Sequence, residues 1–248
     1  MNGPIFYSAG HTDALEYAIK ELRHKGCTVL EKPDPSVTHL ILGVPSFEAD
    51  GSLKGGGRLE NVLAALPAGI TVLGGNLSTA ALTGYKSIDL LQDPLYLAEN
   101  ADITAHCAVK LALAKLPVTL RGCHVLVVGW GRIGKCLAEL LRNMGAIVTV
   151  AARKETDRAM LIALGHDAAD TTDLGYGLLR FRVIFNTVPF KVLPADAIQY
   201  CAPDCLKIDL ASFAGIEGSD VIWARGLPNR DAPESSGALI ARSVLRLI

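Results

Sequence analysis

The sequence predicts an α/β protein with a doubly wound parallel sheet and a second, smaller α/β domain. Three observations lead there. Short apolar runs rich in β-branched residues alternate with longer segments of helical spacing, the pattern of right-handed βαβ crossovers. A glycine cluster, Gly129-Trp130-Gly131-Arg132-Ile133-Gly134, ends one apolar run and opens a helical segment. The chain has 248 residues, enough for one large domain or two small ones at about 150 residues per domain.

The elements follow from periodicity. Ile5–Ser8 reads as a strand, and Ala14 to His24 as a helix with Leu15, Ala18, Ile19 and Leu22 on one face and Gly26 placed to end it. Thr28–Glu31 and His39–Leu42 are short strands separated by the Pro33-Asp34-Pro35 turn. A loop then carries Gly43-Val44-Pro45-Ser46, Gly51 and Gly55-Gly56-Gly57. Leu59–Leu66 is a helix and Ile70–Leu73 a strand. After Pro94, Ala98 to Lys115 is a long uninterrupted helix closed by Pro117. Strands at Val125–Val128, Ile147–Ala151, Val183–Phe185, Leu206–Leu210 and Val221–Ala224 come next, with helices at Ile133–Met144, Thr156–Leu164 and Ala195–Tyr200. Ser236 to Leu247 closes the chain as a helix. This predicts an amino-terminal α/β domain over residues 1–97 and a second domain over 98–248, with 98–115 as an inter-domain helix.

Composition mostly excludes. Lys+Arg number 24 and Asp+Glu 25, so the net charge of −1 carries no footprint for nucleic acid. A hydrophobic share of 50% with 20% charged residues rules out disorder, and a mean hydropathy of +0.32 hints at apolar surface that meets a partner. No basic start leads into an apolar run at Met1–His11, so no secretory signal is expected. The long uncharged stretch from Asn61 to Tyr85 is broken by Pro67, Gly69, Gly74, Gly75, Asn76 and Gly84, which reads as core and turns, with no membrane span. Cysteines at 27, 107, 123, 136, 201 and 205 suit reduced thiols in a cytoplasmic protein. Cys201 and Cys205 look like a pair, but no second pair or nearby histidine completes a metal site.

The glycine cluster carries the chemistry. Standing between an apolar strand and a helix, within a unit that returns to a strand at Ile147, it has the context of a dinucleotide-binding fingerprint in a Rossmann-type fold. Gly129 permits the tight turn, Gly131 lets backbone approach a pyrophosphate, and Gly134 lets the helix pack on the sheet. Trp130, Arg132 and Ile133 complete the loop, and the free N–H groups at the helix start face the phosphates. An acid about 20 residues on, at the tip of the next strand, would bind the ribose of NAD. That strand ends instead in Arg153-Lys154. An arginine there pairs with a 2′-phosphate and stacks on adenine, so the expected coenzyme is NADP. Asn186, Thr187 and Val188 end one later strand, and Asp209 and Ser212 end or follow another. In an open parallel sheet these carboxyl ends line the crevice, so Asn186, Thr187, Asp209 and Ser212 are expected at the nicotinamide end, with Val188 also on the cofactor, and plain helix capping is the alternative.

A Rossmann unit behind a smaller α/β unit is also the plan of D-2-hydroxy-acid dehydrogenases. Those use a late histidine as proton carrier, and no histidine here lies beyond His166. The run Asn100…Thr104, Leu120-Arg121-Gly122, Val127–Gly134, Val148–Arg153, Asn186-Thr187-Val188-Pro189, Ile208–Ser212 and Gly226-Leu227-Pro228 resembles the A subunits of dipicolinate synthase from about Asp93 onward. The likeness is weaker over the first ninety residues, where Gly43-Val44-Pro45 and the glycine-rich loop are similar to that family's amino-terminal domain.

The resemblance implies an NADP-linked oxidation of a dihydrodipicolinate, in which hydride leaves a ring carbon and aromatisation drives the reaction. It further implies a role in sporulation and partnership with a flavoprotein-like B subunit; a homo-oligomer is expected as well. Where the family has Thr-x-Glu-Gly, this chain has Thr104-Ala105-His106-Cys107. His106 is therefore a candidate proton acceptor or carboxylate partner, with Asn100 and Thr104 beside it as catalytic candidates. Ser46, Lys54 and Arg58 are further candidates to hold a small dicarboxylate substrate. Two alternatives stay open: an NAD(P)-dependent dehydrogenase or reductase of another small carboxylate, and a non-catalytic subunit that binds NADP to regulate a partner.

Overall fold

The computed structural model describes residues 3–248, which divide into two compact units. One runs to Asn100 and takes the chain back from Pro228 onward; the other is Ala101–Leu227.

The first unit is built from β1 (Ile5–Ser8), α1 (Asp13–His24), β2 (Thr28–Leu30), β3 (His39–Ile41), α2 (Leu59–Ala64), β4 (Thr71–Gly74) and β5 (Lys86–Asp89). All five strands are parallel, in the order β2-β1-β3-β4-β5. Leu40, Leu53, Leu59, Ile70 and Val72 form one buried cluster beside the sheet. The helix α1 begins because the Thr12 hydroxyl accepts from the Leu15 N–H at 3.1 Å. Asp13 and Glu16 sit in its first turn and Arg23 and His24 in its last, complementing the helix dipole. The strand β5 escapes the sequence pattern for a physical reason. It is an edge strand whose Lys86-Ser87-Ile88-Asp89 offers one apolar side chain, and edges are polar because a flat apolar edge invites aggregation.

The long helix α3 (Pro94–Lys115) starts four residues before the expected Ala98. Asp93 caps it, accepting from the Tyr96 N–H at 2.9 Å, and Pro94 fills the first helical position, where no N–H is needed.

The second unit comprises β6 (His124–Val128), α4 (Arg132–Asn143), β7 (Ile147–Ala151), α5 (Glu155–Ala163), β8 (Asp167–Ala169), β9 (Val183–Asn186), α6 (Ala195–Ile198), β10 (Leu206–Asp209) and β11 (Val221–Trp223). They form one parallel sheet in the order β11-β10-β9-β6-β7-β8. This is the doubly wound order expected of a dinucleotide-binding unit. Its middle strands β6 and β9 are almost wholly buried, which is why they read as continuous apolar runs. The strand β8 is three residues of Asp-Ala-Ala at the sheet edge, too short and too small to signal itself.

A short helix, α7 (Leu227–Asp231), leads into α8 (Pro233–Leu247). The expected second domain over 98–248 needs correction here, because α8 belongs to the first unit and not to the second. It lies on α1 at a very close crossing: a Cβ on Gly237 would stand 2.4 Å from Tyr17 Cβ and 2.6 Å from Ala14 O. Arg242 pairs with Glu99 at 2.6 Å and Arg246 with Asp93, tying the same helix to the start of α3. Gly237→Leu should force these helices apart and destabilise the chain by about 1–3 kcal/mol. Denaturant unfolding of the variant against the wild type checks this.

Candidate functional site

The crossovers reverse direction between β6 and β9, and ligands of open parallel sheets bind outside the carboxyl ends of strands at such a point. The glycine loop ends β6 there. Gly129 has φ +108, and a side chain on it would meet Thr187 Oγ1 at 2.4 Å. A Cβ on Gly134 would stand 2.0 Å from Gly129 O, so α4 starts in direct backbone contact with the loop. Gly131 differs. Its φ is −81 and a Cβ there would meet nothing within 4 Å. That open space, beside the N–H groups of the first turn of α4, fits a pyrophosphate group.

A cleft of ≈ 600 Å³ opens at this loop. Gly129, Trp130 and Gly131 form one wall, and Ala152, Arg153 and Lys154 another. Arg153 and Lys154 are exposed at the tip of β7. The loop that carries them is braced by Arg158, which donates to Ala152 O at 2.9 Å and Arg153 O at 2.8 Å and pairs with Asp170 at 2.8 Å. Asp170 in turn accepts from the backbone and hydroxyl of Thr172, bonds that hold its carboxyl below the usual carboxylate range. Thr171, Thr172 and Asp157 also line the cleft, with Phe190, Lys191 and Val192 beyond Val188. The glycine spacing says nothing about these residues. The Asp170-x-Thr172 pattern, a side-chain-stabilised turn, was the one signal that could have found the Thr171–Thr172 wall.

Trp130 is held edge-on by His166, with ring centroids 5.8 Å apart, and the Lys135 ammonium lies 5.7 Å from its ring centre. Burial keeps His166 below the ordinary histidine value, helped by Arg142 and opposed by Glu139. Arg132 is exposed and Ile133 half-buried on the first turn of α4; neither lines the cleft.

Three residues expected to touch the nicotinamide are engaged inside the protein. Asn186 donates to Val188 O and to Asp209 Oδ1, both at 3.0 Å, and accepts from the Val188 N–H at 2.9 Å. Asp209, fully buried, accepts from the N–H groups of Ala211 (3.0 Å), Gly215 (2.6 Å) and Ile216 (3.0 Å). Thr187 donates to Val128 O at 3.0 Å. Burial requires this, because an unpaired carboxylate or amide at the end of a central strand carries a desolvation penalty. These side chains shape the loops at the cleft; Val188 lines it directly, and Ser212 is exposed outside its lining.

The catalytic candidates all lie on α3. Asn100 and Thr104, one turn apart, share a face, half-buried and buried respectively. His106 stands about 200° around the helix from Thr104. It is 61% exposed, with Asp102 Oδ1 3.9 Å from its ring nitrogen. The three do not form one cluster on this helix. In the first unit, Ser46 is buried, donating to Gly43 O at 2.8 Å and accepting from the Gly75 N–H at 3.0 Å. Lys54 pairs with Glu48 at 2.6 Å and Arg58 donates to Asp50 O at 3.3 Å, so these three have internal partners. Among the described residues no group of three or more His, Cys, Asp or Glu could hold a metal, and no helix is long and apolar enough to cross a membrane.

No family model matches the sequence. The A subunit of dipicolinate synthase from Bacillus subtilis (strain 168) is 25% identical over 241 residues, covering 90% of this chain and 81% of that one. The crystal structure of the dipicolinate synthase A subunit from Bacillus halodurans superposes with a TM-score of 0.86 over 99% of this chain and 98% of that one, at 21% identity.

This chain is similar to the dipicolinate synthase A subunit in sequence and in fold.

The resemblance carried by the strand ends is thereby borne out. The apo-structure of D-lactate dehydrogenase from Escherichia coli shares the fold more distantly, with a TM-score of 0.61 and 14% identity over 99% of this chain and 96% of that one. The architecture is the Rossmann-type α/β fold that such dehydrogenases share.

Two variants test the site. Gly131→Val should fold normally, since neither backbone nor neighbours oppose a side chain there, yet block dinucleotide binding. Equal unfolding midpoints with lost binding in calorimetry is the expected pair of results. Asp209→Ala should cost about 2–4 kcal/mol of stability, because it strands several buried N–H donors; urea unfolding reads this.

Proposed function

We propose that this chain is an NADP-dependent oxidoreductase subunit that converts dihydrodipicolinate to dipicolinate. The observation that carries the coenzyme choice is the basic tip of β7, Arg153-Lys154, on the wall of the cleft beside the glycine loop. The similarity to the dipicolinate synthase A subunit over 90% of the chain supports the substrate.

When bound, a nicotinamide coenzyme supplies hydride acceptance; the protein binds, orients and moves protons. The Gly129–Gly131 backbone and the α4 amino terminus hold the pyrophosphate. Arg153 and Lys154 neutralise the 2′-phosphate, with Arg158 keeping their loop in place. The one carboxylate on that wall, Asp157, is outnumbered by these cations. The Asn186–Asp209 pair fixes the loops after β9 and β10, so that Val188 packs against the nicotinamide end. His106, on the exposed face of α3 with Asp102 Oδ1 3.9 Å from its ring, accepts the ring proton of a substrate held on that face, while Asn100 and Thr104 act from the other side of the helix. A partnering B subunit, self-association, a cytoplasmic location and a role in sporulation complete the proposal.

Calorimetric titration with NADP and NAD tests the coenzyme. Arg153→Asp should lower the NADP/NAD affinity ratio by about 10–100-fold, the equivalent of one or two charge-assisted hydrogen bonds; an unchanged ratio removes Arg153 from the site. Turnover of dihydrodipicolinate, followed by NADPH absorbance with and without a candidate B subunit, tests the reaction. His106→Ala should reduce turnover by about 100-fold or more at unaltered coenzyme affinity. Normal turnover in that variant assigns the proton elsewhere.

A further inference from the structure

Two thiols in the second unit have no part in the coenzyme site. Cys201 follows α6 and Cys205 precedes β10, in a turn where the Cys201 N–H donates to Ile198 O at 2.9 Å and the Cys205 N–H to Ala202 O at 3.0 Å. The two cysteines are free, four residues apart on one turn and packed into the same cluster, with Cys205 Sγ 4.0 Å from Leu206 O. Their access differs: Cys201 is half-buried, whereas Cys205 is 6% exposed. Beside them lies the buried Lys207 ammonium, which donates to Cys205 O at 3.2 Å and pairs with Asp220 at 2.6 Å. The acid within the turn, Asp204, is taken by Arg182. Both cysteines pack into the apolar cluster that includes Val188 and Val192, and those valines line the cleft.

We propose that Cys201 and Cys205 form a redox-active dithiol that reacts with low-molecular-weight disulfides, Cys201 attacking and Cys205 resolving. The Cys205 hydrogen bond, aided by the Lys207 ammonium and opposed by burial and the Asp220 carboxylate, brings the Cys201 thiol down to about 7. The same hydrogen bond and burial push Cys205 up. The accessible sulfur is therefore the nucleophile at neutral pH. Its thiolate attacks one sulfur of the disulfide RSSR, whose S–S bond breaks as RS⁻ leaves, giving a mixed disulfide on Cys201. That step removes the negative charge beside Cys205, which loses its proton to water. The Cys205 thiolate then attacks Cys201 Sγ, forming the Cys201–Cys205 bond and expelling the second RS⁻. The protein is oxidised by two electrons, and RSSR is reduced to two thiols.

The test uses the full chain, reduced and then exposed to glutathione disulfide at pH 7, with intact-mass analysis and peptide mapping. The wild type should lose two hydrogens and yield a linked 201–205 peptide. Cys205→Ser should hold one glutathione on Cys201, and Cys201→Ser should take none at Cys205. In the wild type, the rate of Cys201 alkylation by iodoacetamide should rise with pH through a midpoint near 7. Glutathione distributed equally over Cys27, Cys123 and Cys136 with no 201–205 link overturns the proposal. So does a Cys201 midpoint at the ordinary thiol value near 8.5. Unfolding midpoints of both serine variants separate a chemical effect from a folding one.

Discussion

How closely α4 can approach the end of β6 governs the whole candidate site. Backbone contact between residue 134 and the carbonyl of residue 129 leaves no room for a side chain at 134, and Thr187 leaves none at 129. That approach brings the amino terminus of a twelve-residue helix to the sheet edge, where its unpaired N–H groups and dipole can act on an anion. A larger residue at either position would lift the helix off the sheet and close the cleft. Gly131 is under no such packing pressure, and that difference marks it as the place where something outside the chain comes close.

A second constraint stands behind the first. The central strands β9 and β10 end in an amide and a carboxylate, and both are buried. Asn186 and Asp209 resolve this by bonding to each other and to the backbone of the loops that follow. The loops that border the cleft are thus fixed by polar groups beneath them. On the opposite side, Arg158 and Asp170 do the same for the β7 tip and for Thr172. A rigid rim around an open cleft is what a cofactor site needs, because loops already ordered lose little entropy on binding.

Much of this was legible beforehand, and the misses have physical causes. The inner strands are buried on both faces, so their apolar runs were visible, and the edge strands β2 and β11 were found as well because Thr28-Val29-Leu30 and Val221-Ile222-Trp223 are themselves β-rich and apolar. The strands β5 and β8 lie at edges, where selection against aggregation and short length erase the pattern. Periodicity shows the helix α8 but not the unit it joins, since it reports that a face is buried and never against what. The fingerprint loop and the basic strand tip stood in the expected place because their spacing is local. Asn186, Thr187 and Asp209 have the right residue types for ligand contact, yet the same types satisfy buried backbone, and sequence cannot separate those uses.

By itself, then, the chain's order of residues determined the two α/β units, the glycine loop and the cationic tip of β7, because each depends on contacts within a few residues or on one repeating period. Tertiary structure decided the rest: the attachment of α8 to α1, the inward bonds of Asn186 and Asp209, the brace from Arg158, and the wall of Thr171 and Thr172. Each of these joins segments far apart in the chain or sets a side chain between two possible partners. Which partner wins depends on burial, and burial exists only once the chain has folded.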